Sequence, residues 1–439
     1  TCSSGALVGP FQVNPLPVPV IVSPLQVATS SSGKNRVVCD MSYGKPSVND
    51  LISGNWNEYP GYFGDFHLPS SDSLAAQILN CGRGCMIFKA DMAAFYKQLK
   101  ADPVDVPYLG FSWRGGVLLD TTLPFGMRSS ALSAQRVSEG IAAIYFYFTG
   151  FVLIVYIDDH ASVVKVEFAA HAYEVYNRIT DELQVEKTVA KCRAPDTLMD
   201  FLGLDYNTDE LTVTLPPDKR TRVIELLQQW LLMETCTKQQ LQKLVGVLNH
   251  CCYVIHPGKP FTARLLDVLR DGQFPAQLTQ EFKKDVYAWL TFLQGDFSGR
   301  ALLKNVECIP LDDKLRVAVF NNTFAIACDG KLHCYIATDE HGNIAPHTIM
   351  ACAIYQASTL YHADLAGFPH LISVGTKVSE AVVNRAKTSD KKARHYLRRA
   401  WIVQATHDFV IRAKAKTYNE QSSLHKTLIN CKKFETFIC

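Results

Sequence analysis

Three aspartates are the residues of this chain whose type and position best suit the binding of a divalent cation. Asp91 follows the short apolar run Met86–Phe88, and Asp158 and Asp159 lie in a turn between two apolar runs. Carboxylates crowded at strand ends are costly unless they bind a cation, and their hard oxygens suit Mg²⁺. Two such ions, about 4 Å apart, can stabilise both the attacking and the leaving oxygens of a phosphoryl transfer. The three aspartates are therefore candidates for a site that binds two Mg²⁺ ions, or Mn²⁺ in their place, but taken alone this signal is weak, because an Asp-Asp pair in a turn is more often a solvated turn.

The hydrophobic pattern predicts the strands and helices that position these aspartates. Apolar and β-branched runs predict strands at 36–39, 86–88, 111–113, 117–119, 151–157, 161–166, 199–204 and 211–215. Helical patterns are found at 73–79, 129–148 and 169–183, and residues 93–99 form a helix or a turn. Ser71 or Asp72 is the predicted cap of the first helix.

The pattern becomes helical after Pro216-Pro217. One helix face carries Val223, Leu226, Leu227, Trp230 and Leu231, and Thr237–Gln240 forms a capping box for the next helix. From about residue 300 strands return, at 315–320, 324–328 and 334–338, and two helical segments follow. These changes divide the 439 residues into 1–215, 216–297 and 298–439, which agrees with about 150 residues per domain.

Composition excludes several classes of protein. With 48% hydrophobic residues and a net charge of +2, the chain is neither disordered nor uniformly basic. The 14 cysteines are too dilute for a disulfide scaffold and indicate free thiols in a reducing compartment. Residues 140–157 are an uncharged run of 18, but Gly150 interrupts it and its second half is β-rich, so a helix, a turn and a buried strand are predicted and no membrane role is expected.

Five motifs, in the same order along the chain, resemble those of reverse transcriptases. They are Lys34 and Arg36 before Asp40–Tyr43 and Ser47–Asp50; Lys89–Asp91 before Phe95-Tyr96; Leu123–Ser129 before Gln135; Tyr156–Asp159, like the YxDD hairpin; and Lys191 before Phe201–Gly203. Two further stretches, Cys236–Asn249 and Pro257–Phe261, resemble the thumb of polymerases from DIRS-type retrotransposons, which are mobilised with a tyrosine recombinase. The resemblance is strong from about residue 36 to 270.

The resemblance implies a role for each matching residue. Asp91 and Asp158 would bind Mg²⁺ with Asp159 in support, and Lys34 and Arg36 would contact the triphosphate. Tyr96 would lie under the incoming sugar and exclude a 2′-OH, although a core aromatic is the alternative. Gly126 would allow the backbone to approach the template and nucleotide closely, and Gln135 would contact the template side of the new base pair. Lys191 would be a general acid for pyrophosphate, or else an ordinary solvated lysine. The primer grip would consist of Phe201, Leu202 and Gly203.

Some positions depart from the family pattern. Thr29 and Ser30 replace a frequent lysine pair, and Ala131 and Ala134 replace a proline and an aromatic residue. None of these changes removes a predicted metal ligand.

Residues 298–439 match the place of a ribonuclease H domain, whose activity needs four acids. Asp329 and Asp364 are the two candidates, Thr376 stands where a third acid is expected, and none is found around 423–427. We therefore expect a ribonuclease H-like fold without nuclease activity. Residues 377–416 carry 11 Lys or Arg and 3 acids, which favours contact with a duplex backbone over a merely solvated helix.

The resemblance implies an α/β (α+β) right hand: fingers, a ferredoxin-like palm and a helical thumb, followed by the ribonuclease H-like domain. The expected activity is RNA-directed DNA polymerisation from dNTPs, with an RNA template and a DNA primer or RNA–DNA duplex as partners. A tyrosine recombinase or other element-encoded protein is a further expected partner, and the oligomeric state stays open. The expected location is intracellular, with the nucleus favoured over the cytoplasm. Two alternatives remain: a domesticated or degenerate element product that binds nucleic acid without polymerising, and an RNA-templated RNA polymerase, against which Tyr96 argues.

Overall fold

A computed structural model describes most of the chain and divides it into two compact units. The units are Thr1–Leu202 with Tyr206–Leu211, and Gly203–Asp205 with Thr212–Cys439. The described residues are 5–29, 35–52, 68–255, 258–295, 299–301, 314–338, 344–366, 369–385, 388, 390–407, 409–416, 424, 431 and 433–438. Ser30, Lys34, Pro257, Gly342 and residues 423 and 425–427 lie outside this set, as does the side chain of Arg36. The predicted boundary between residues 297 and 298 falls inside the second unit and stays a prediction.

The first unit begins with short strands and two helices. They are β1 (Leu7–Phe11), β2 (Val22–Ser23), β3 (Leu25–Thr29), β4 (Asn35–Cys39), α1 (Val48–Leu51) and α2 (Ser71–Cys81). Ser70 caps α2, not Ser71 or Asp72 as predicted, because its hydroxyl is the one that accepts from the backbone of Asp72. The run of capping residues hid this choice from the sequence.

The palm of the first unit is built from β5 (Met86–Asp91), α4 (Ser130–Thr149), β8 (Leu153–Tyr156), β9 (Asp159–Val164), α5 (Ala169–Glu182) and β10 (Arg193–Asp196). The connecting elements are α3 (Phe95–Gln98), β6 (Gly110–Trp113) and β7 (Gly116–Asp120). The sheet order β10-β5-β9-β8 and the element order βαββαβ confirm the ferredoxin-like palm. Phe88, Tyr145 and Tyr176 fill the core between this sheet and its two helices.

The uncharged run 140–157 folds as predicted, into the end of α4, a turn at Gly150 and strand β8. Within the described residues, no helix is long and apolar enough to cross a membrane.

The predicted strand 199–204 is wrong in one respect. It is broken at Leu202 and Gly203, both with positive φ (+48° and +74°), into β11 (Leu198–Phe201) and β12 (Leu204–Asn207).

The second unit contains the predicted helical segment. Its elements are β13 (Thr212–Thr214), α6 (Pro217–Leu232), β14 (Thr235–Cys236), α7 (Lys238–Cys251), α8 (Lys259–Asp271), β15 (Ala276–Gln277), α9 (Gln280–Gln294) and β16 (Gly299–Ala301). The predicted capping box of α7 is present, since Thr237 and Gln240 bond each other's backbone N–H groups. Trp230 of α6 stacks on Phe282 of α9, with the ring centroids 6.0 Å apart.

An α/β domain follows in the same unit. It comprises β17 (Leu315–Phe320), β18 (Thr323–Cys328), β19 (Lys331–Thr338), α10 (Pro346–Leu365), β20 (Pro369–Val374), α11 (Lys377–Arg385), α12 (Lys391–Thr406), β21 (Val410–Ala415) and β22 (Glu435–Ile438). Strands β17, β18, β19 and β22 form one sheet, and β20 pairs in parallel with β21. Helices α10 and α12 pack on this framework through Ala353, Ala357 and Ala400.

Candidate active site

The palm sheet brings the three predicted aspartates to one end of adjacent strands. Asp91, the last residue of β5, lies directly opposite Asp159, the first residue of β9. Asp158 occupies the two-residue turn between β8 and β9, and its carbonyl accepts from the N–H of Met92 at 2.9 Å. Strand pairing and this hydrogen bond therefore fix the backbone positions of all three aspartates.

The carboxylates repel one another in this arrangement. Burial, followed by the charges of Asp158 and Asp91, raises the pKa of Asp159 to about 6. A cation bound here would relieve this cost, because an opposite charge within a few ångströms favours the ionised carboxylates.

Lys191 supplies a positive charge at the same place. Its Nζ donates to Asp91 Oδ2 at 2.6 Å. This hydrogen bond, together with the charges of the three aspartates, raises the pKa of Lys191, so its ammonium is protonated at neutral pH. The side chain remains 62% exposed, which leaves it accessible to a ligand.

The three aspartates could serve as ligands for Mg²⁺ only if other ligands complete the shell of the ion. In the described part of the chain, no three His, Cys, Asp or Glu side chains converge into a metal site by themselves. Mg²⁺ commonly takes only one or two protein carboxylates and completes its shell with water and substrate phosphates. An Mg²⁺ ion at the three aspartates would therefore need further ligands from water or from substrate phosphates, and its binding here stays a prediction.

Tyr96 lies beside the aspartates and near the Leu123–Ser129 segment. Burial and the charge of Asp158 raise the pKa of its phenol. Its ring packs on Phe125, with the centroids 4.8 Å apart. Tyr96 is half-buried and packs against the edge of the palm core, so its ring lies between that core and the aspartates, and its role toward a sugar stays a prediction.

Gly126 meets another backbone segment closely. Its φ is +101°, and a Cβ there would lie 2.2 Å from the carbonyl oxygen of Cys39. Asn49 of the predicted fingers motif donates to the Gly126 carbonyl at 2.9 Å and accepts from the N–H of Arg128 at 2.8 Å. The glycine is thus required by a contact inside the protein, and its approach to a nucleotide stays a prediction.

The structure gives Gln135 a partner that the sequence did not suggest. Its amide accepts from the N–H of Ile157 at 2.7 Å and donates to the carbonyl of Val155 at 3.0 Å. The residue is 1% exposed. Its side chain holds the aspartate hairpin, and its predicted contact with the template side stays untested.

Sequence reasoning missed three residues beneath this hairpin. Ser138, His160 and Tyr176 are fully buried and linked to one another by hydrogen bonds of 2.9 and 3.0 Å. Burial lowers the pKa of His160 to about 4, so its imidazole is neutral. One signal was present: His160 and Ser162 are polar residues in the strand that follows Asp159 and otherwise contains only Ala and Val.

The predicted primer-grip residues divide between the two units. Phe201 is buried in the first unit, and the neighbouring Asp200 pairs with Lys89. In the second unit, Lys219 Nζ donates to the Gly203 carbonyl at 3.2 Å and lies 2.7 Å from His250 Nε2. Burial lowers the pKa of Lys219, and burial with the Lys219 charge lowers that of His250.

Some of the basic side chains in the stretch 377–416 form ion pairs within the protein. Arg394 and Arg398 of α12 pair with Asp267 of α8 and Asp285 of α9, and their side chains are only 12% and 13% exposed. These two residues are therefore not available to a duplex, which corrects part of the charge argument. Lys391 and Arg399 are exposed, and for them backbone contact stays a prediction.

The two candidate nuclease acids lie close to Lys314. Its Nζ is 3.6 Å from Asp329 Oδ2 and donates to the carbonyl of Asp364 at 2.5 Å. Asp329 belongs to the turn between β18 and β19 and has a φ of +49°. The expected lack of nuclease activity stays a prediction.

Comparison with solved structures shows the fold. The chain is similar to the foamy viral protease-reverse transcriptase dRH in complex with double-stranded DNA, with a TM-score of 0.55 and 14% identity over 94% of this chain and 67% of that one. The same viral protein with double-stranded DNA gives a TM-score of 0.52 at 14% identity, over 96% and 81% of the two chains. With an RNA/DNA hybrid it gives 0.52 at 15%, over 96% and 52%.

No protein-family model and no curated protein matches the chain. The fold is the one found in these solved reverse transcriptases, a right-hand fold followed by a ribonuclease H-like domain, as predicted.

Proposed function

We propose that this chain is an RNA-directed DNA polymerase that extends a primer 3′-OH with dNTPs. The observation that carries the proposal is the placement of Asp91 opposite Asp159, with Asp158 in the adjoining turn and Lys191 bonded to Asp91. A nucleic-acid binder has no need for three mutually repelling carboxylates. The similar foamy viral protein, solved with double-stranded DNA and with an RNA/DNA hybrid, supports nucleic-acid partners.

The three aspartates would hold two Mg²⁺ ions together with the triphosphate. These ions would stabilise the attacking and leaving oxygens of the transfer. The primer 3′-OH would give up its proton to solvent water, and its oxygen would form a bond to the α-phosphorus. The bond from that phosphorus to the bridging β-phosphate oxygen would break, so that pyrophosphate leaves. Lys191 carries a proton on Nζ at neutral pH and would transfer it to the leaving pyrophosphate.

Tyr96 would discriminate between sugars. Its half-buried ring, fixed against Phe125, borders the aspartates. A 2′-OH on the incoming nucleotide would clash with the ring, whereas a deoxyribose would not. The preference for dNTPs follows from this position and disfavours an RNA polymerase.

The DIRS-type origin is the finer part of the proposal. It rests on the fingers stretches Asp40–Tyr43 and Ser47–Asp50 and on the thumb segment Cys236–Asn249. Such an origin implies a tyrosine recombinase encoded by the same element. Nuclear or cytoplasmic location stays a prediction.

Primer extension tests the proposal. The protein is given an RNA template, a DNA primer, Mg²⁺ and either four dNTPs or four rNTPs, and is compared with Asp158→Asn and with Asp200→Asn, a half-exposed carboxylate on the neighbouring strand β11. We expect dNTP extension by the wild type and by Asp200→Asn but not by Asp158→Asn. Salt-sensitive duplex binding without extension by any of them would replace the proposal with the non-polymerising element product.

A further inference from the structure

The turn that carries Asp158 is held in a strained conformation. Ile157, its first residue, has a φ of +54°, a region that β-branched residues rarely adopt. Such a conformation persists only where the surroundings over-determine it. Here the backbone of Ile157 is bonded on both sides: its N–H donates to Gln135, and its carbonyl accepts from Ser138 Oγ at 2.6 Å.

Behind Ser138 runs a chain of buried hydrogen bonds that has one possible direction. The Ile157 carbonyl can only accept, so the single hydroxyl proton of Ser138 is used there. Ser138 Oγ must therefore accept from His160 Nε2, which lies 2.9 Å away. Within the described residues the Tyr176 hydroxyl has no other hydrogen-bond partner, so it donates to His160 Nδ1 at 3.0 Å, and this nitrogen therefore carries no proton.

This chain connects helix α5 to the turn through three side chains that are 0% exposed. Each of the three side chains donates one hydrogen bond to the next member of the chain, and the last, Ser138, donates to the Ile157 carbonyl. Removal of any one of them therefore leaves a buried polar atom without its partner. A further hydrogen bond links this turn to the end of strand β5, because the Asp158 carbonyl accepts from the N–H of Met92, one residue after Asp91.

We propose that Ser138, His160 and Tyr176 are positioning residues that fix the Ile157–Asp158 turn and thereby the Asp158 carboxylate relative to Asp91. The inference rests on the proposed function, since the consequence is for metal-ion affinity and nucleotidyl transfer. None of the three residues touches substrate.

A pair of buried tyrosines provides the test. Tyr176→Phe removes the far end of the chain. Tyr145→Phe is the matched control, because Tyr145 is equally buried in the same core and its hydroxyl lies 3.2 Å from Ser162 Oγ, which donates to Val152 at the start of the hairpin and not to the turn. Ser138→Ala, which removes the group that bonds Ile157, is the second variant.

We expect the two tyrosine variants to lose similar thermal stability. Only Tyr176→Phe and Ser138→Ala should raise the Mg²⁺ concentration for half-maximal extension and lower kcat, each by about tenfold, the worth of one buried hydrogen bond, with the KM for dNTP little changed. Equal changes in Mg²⁺ dependence for Tyr145→Phe and Tyr176→Phe would overturn the proposal, because the effect would then be merely structural.

A second measurement is independent of activity. In ¹⁵N NMR of the imidazoles, His160 should be the neutral tautomer protonated at Nε2, and Tyr176→Phe should shift Nδ1 while Tyr145→Phe should not. A proton on Nδ1 would refute the chain of hydrogen bonds even in an active enzyme. A wild-type protein without extension but with the Nε2 tautomer would instead refute the proposed function and leave the geometry intact.

Discussion

Asp285 and Arg398 form a buried ion pair whose disruption should be far more costly than its replacement. Arg398 Nη2 of α12 lies 2.7 Å from Asp285 Oδ2 of α9, and Arg264 Nε of α8 lies 3.5 Å from the same oxygen. The side chain of Asp285 is 4% exposed. Burial raises the pKa of Asp285 and lowers that of Arg398, so both charges are held against a desolvation cost.

The magnitude follows from what each variant leaves behind. Asp285→Leu would leave two guanidinium groups beside an apolar side chain, and Arg398→Met would leave a buried carboxylate with Arg264 alone. Each should lower the free energy of unfolding by about 3–5 kcal/mol. The double variant Asp285→Leu with Arg398→Met removes both charges and should cost far less than the sum, because neither charge is left unpaired.

Urea unfolding of the four proteins measures this coupling. Lys284→Ala is the control, since Lys284 and Glu281 form an exposed pair on the same helix, which solvent screens and which should contribute little to stability. If the double variant loses as much as the two single variants combined, the pair is not coupled and the reasoning is wrong.

Three further predictions concern other parts of the chain. Gly126→Ala should destabilise the protein by at least about 2 kcal/mol in denaturant unfolding, because of its positive φ and the contact with Cys39; Gly140→Ala, in open space on α4, should instead stabilise it by about 0.5–1 kcal/mol, and equal effects would contradict the contact. The folded-state pKa of His250 is depressed, so its neutral form contributes stability that is lost as pH falls below its unfolded value of about 6.5; His250→Gln should flatten the stability profile between pH 7 and 5, and an unchanged profile would count against it. Tyr96→Val should increase rNTP incorporation relative to dNTP in competition assays, and an unchanged ratio would remove Tyr96 from sugar discrimination.

Sequence patterns and motifs predicted much of the fold and the three aspartates at the centre of the candidate site. The capping box at Thr237 and the turn at Asp158 depend on residues near one another in sequence, whereas the ferredoxin-like palm was predicted from the family resemblance. The break at Leu202 was missed because a leucine with positive φ looks like any strand residue, although Gly203 beside it was a signal.

Long-range pairs could not be predicted in this way. Arg398 and Asp285 are 113 residues apart, and nothing in a run of basic residues distinguishes a buried partner from an exposed phosphate ligand. The same holds for His160 and Ser138, 22 residues apart, whose link depends on how α4 packs on the palm sheet.

The most direct test of the central claim is single-turnover incorporation of one dNTP onto a DNA primer annealed to RNA, as a function of Mg²⁺. The wild type should extend the primer only with the metal. Asp91→Asn should be slower by at least about a hundredfold, as expected for a lost ligand worth several kcal/mol, with duplex affinity changed less than about twofold. Equal rates for the two proteins, or duplex binding by a wild type that never extends the primer, would contradict the assignment of these carboxylates to nucleotidyl transfer.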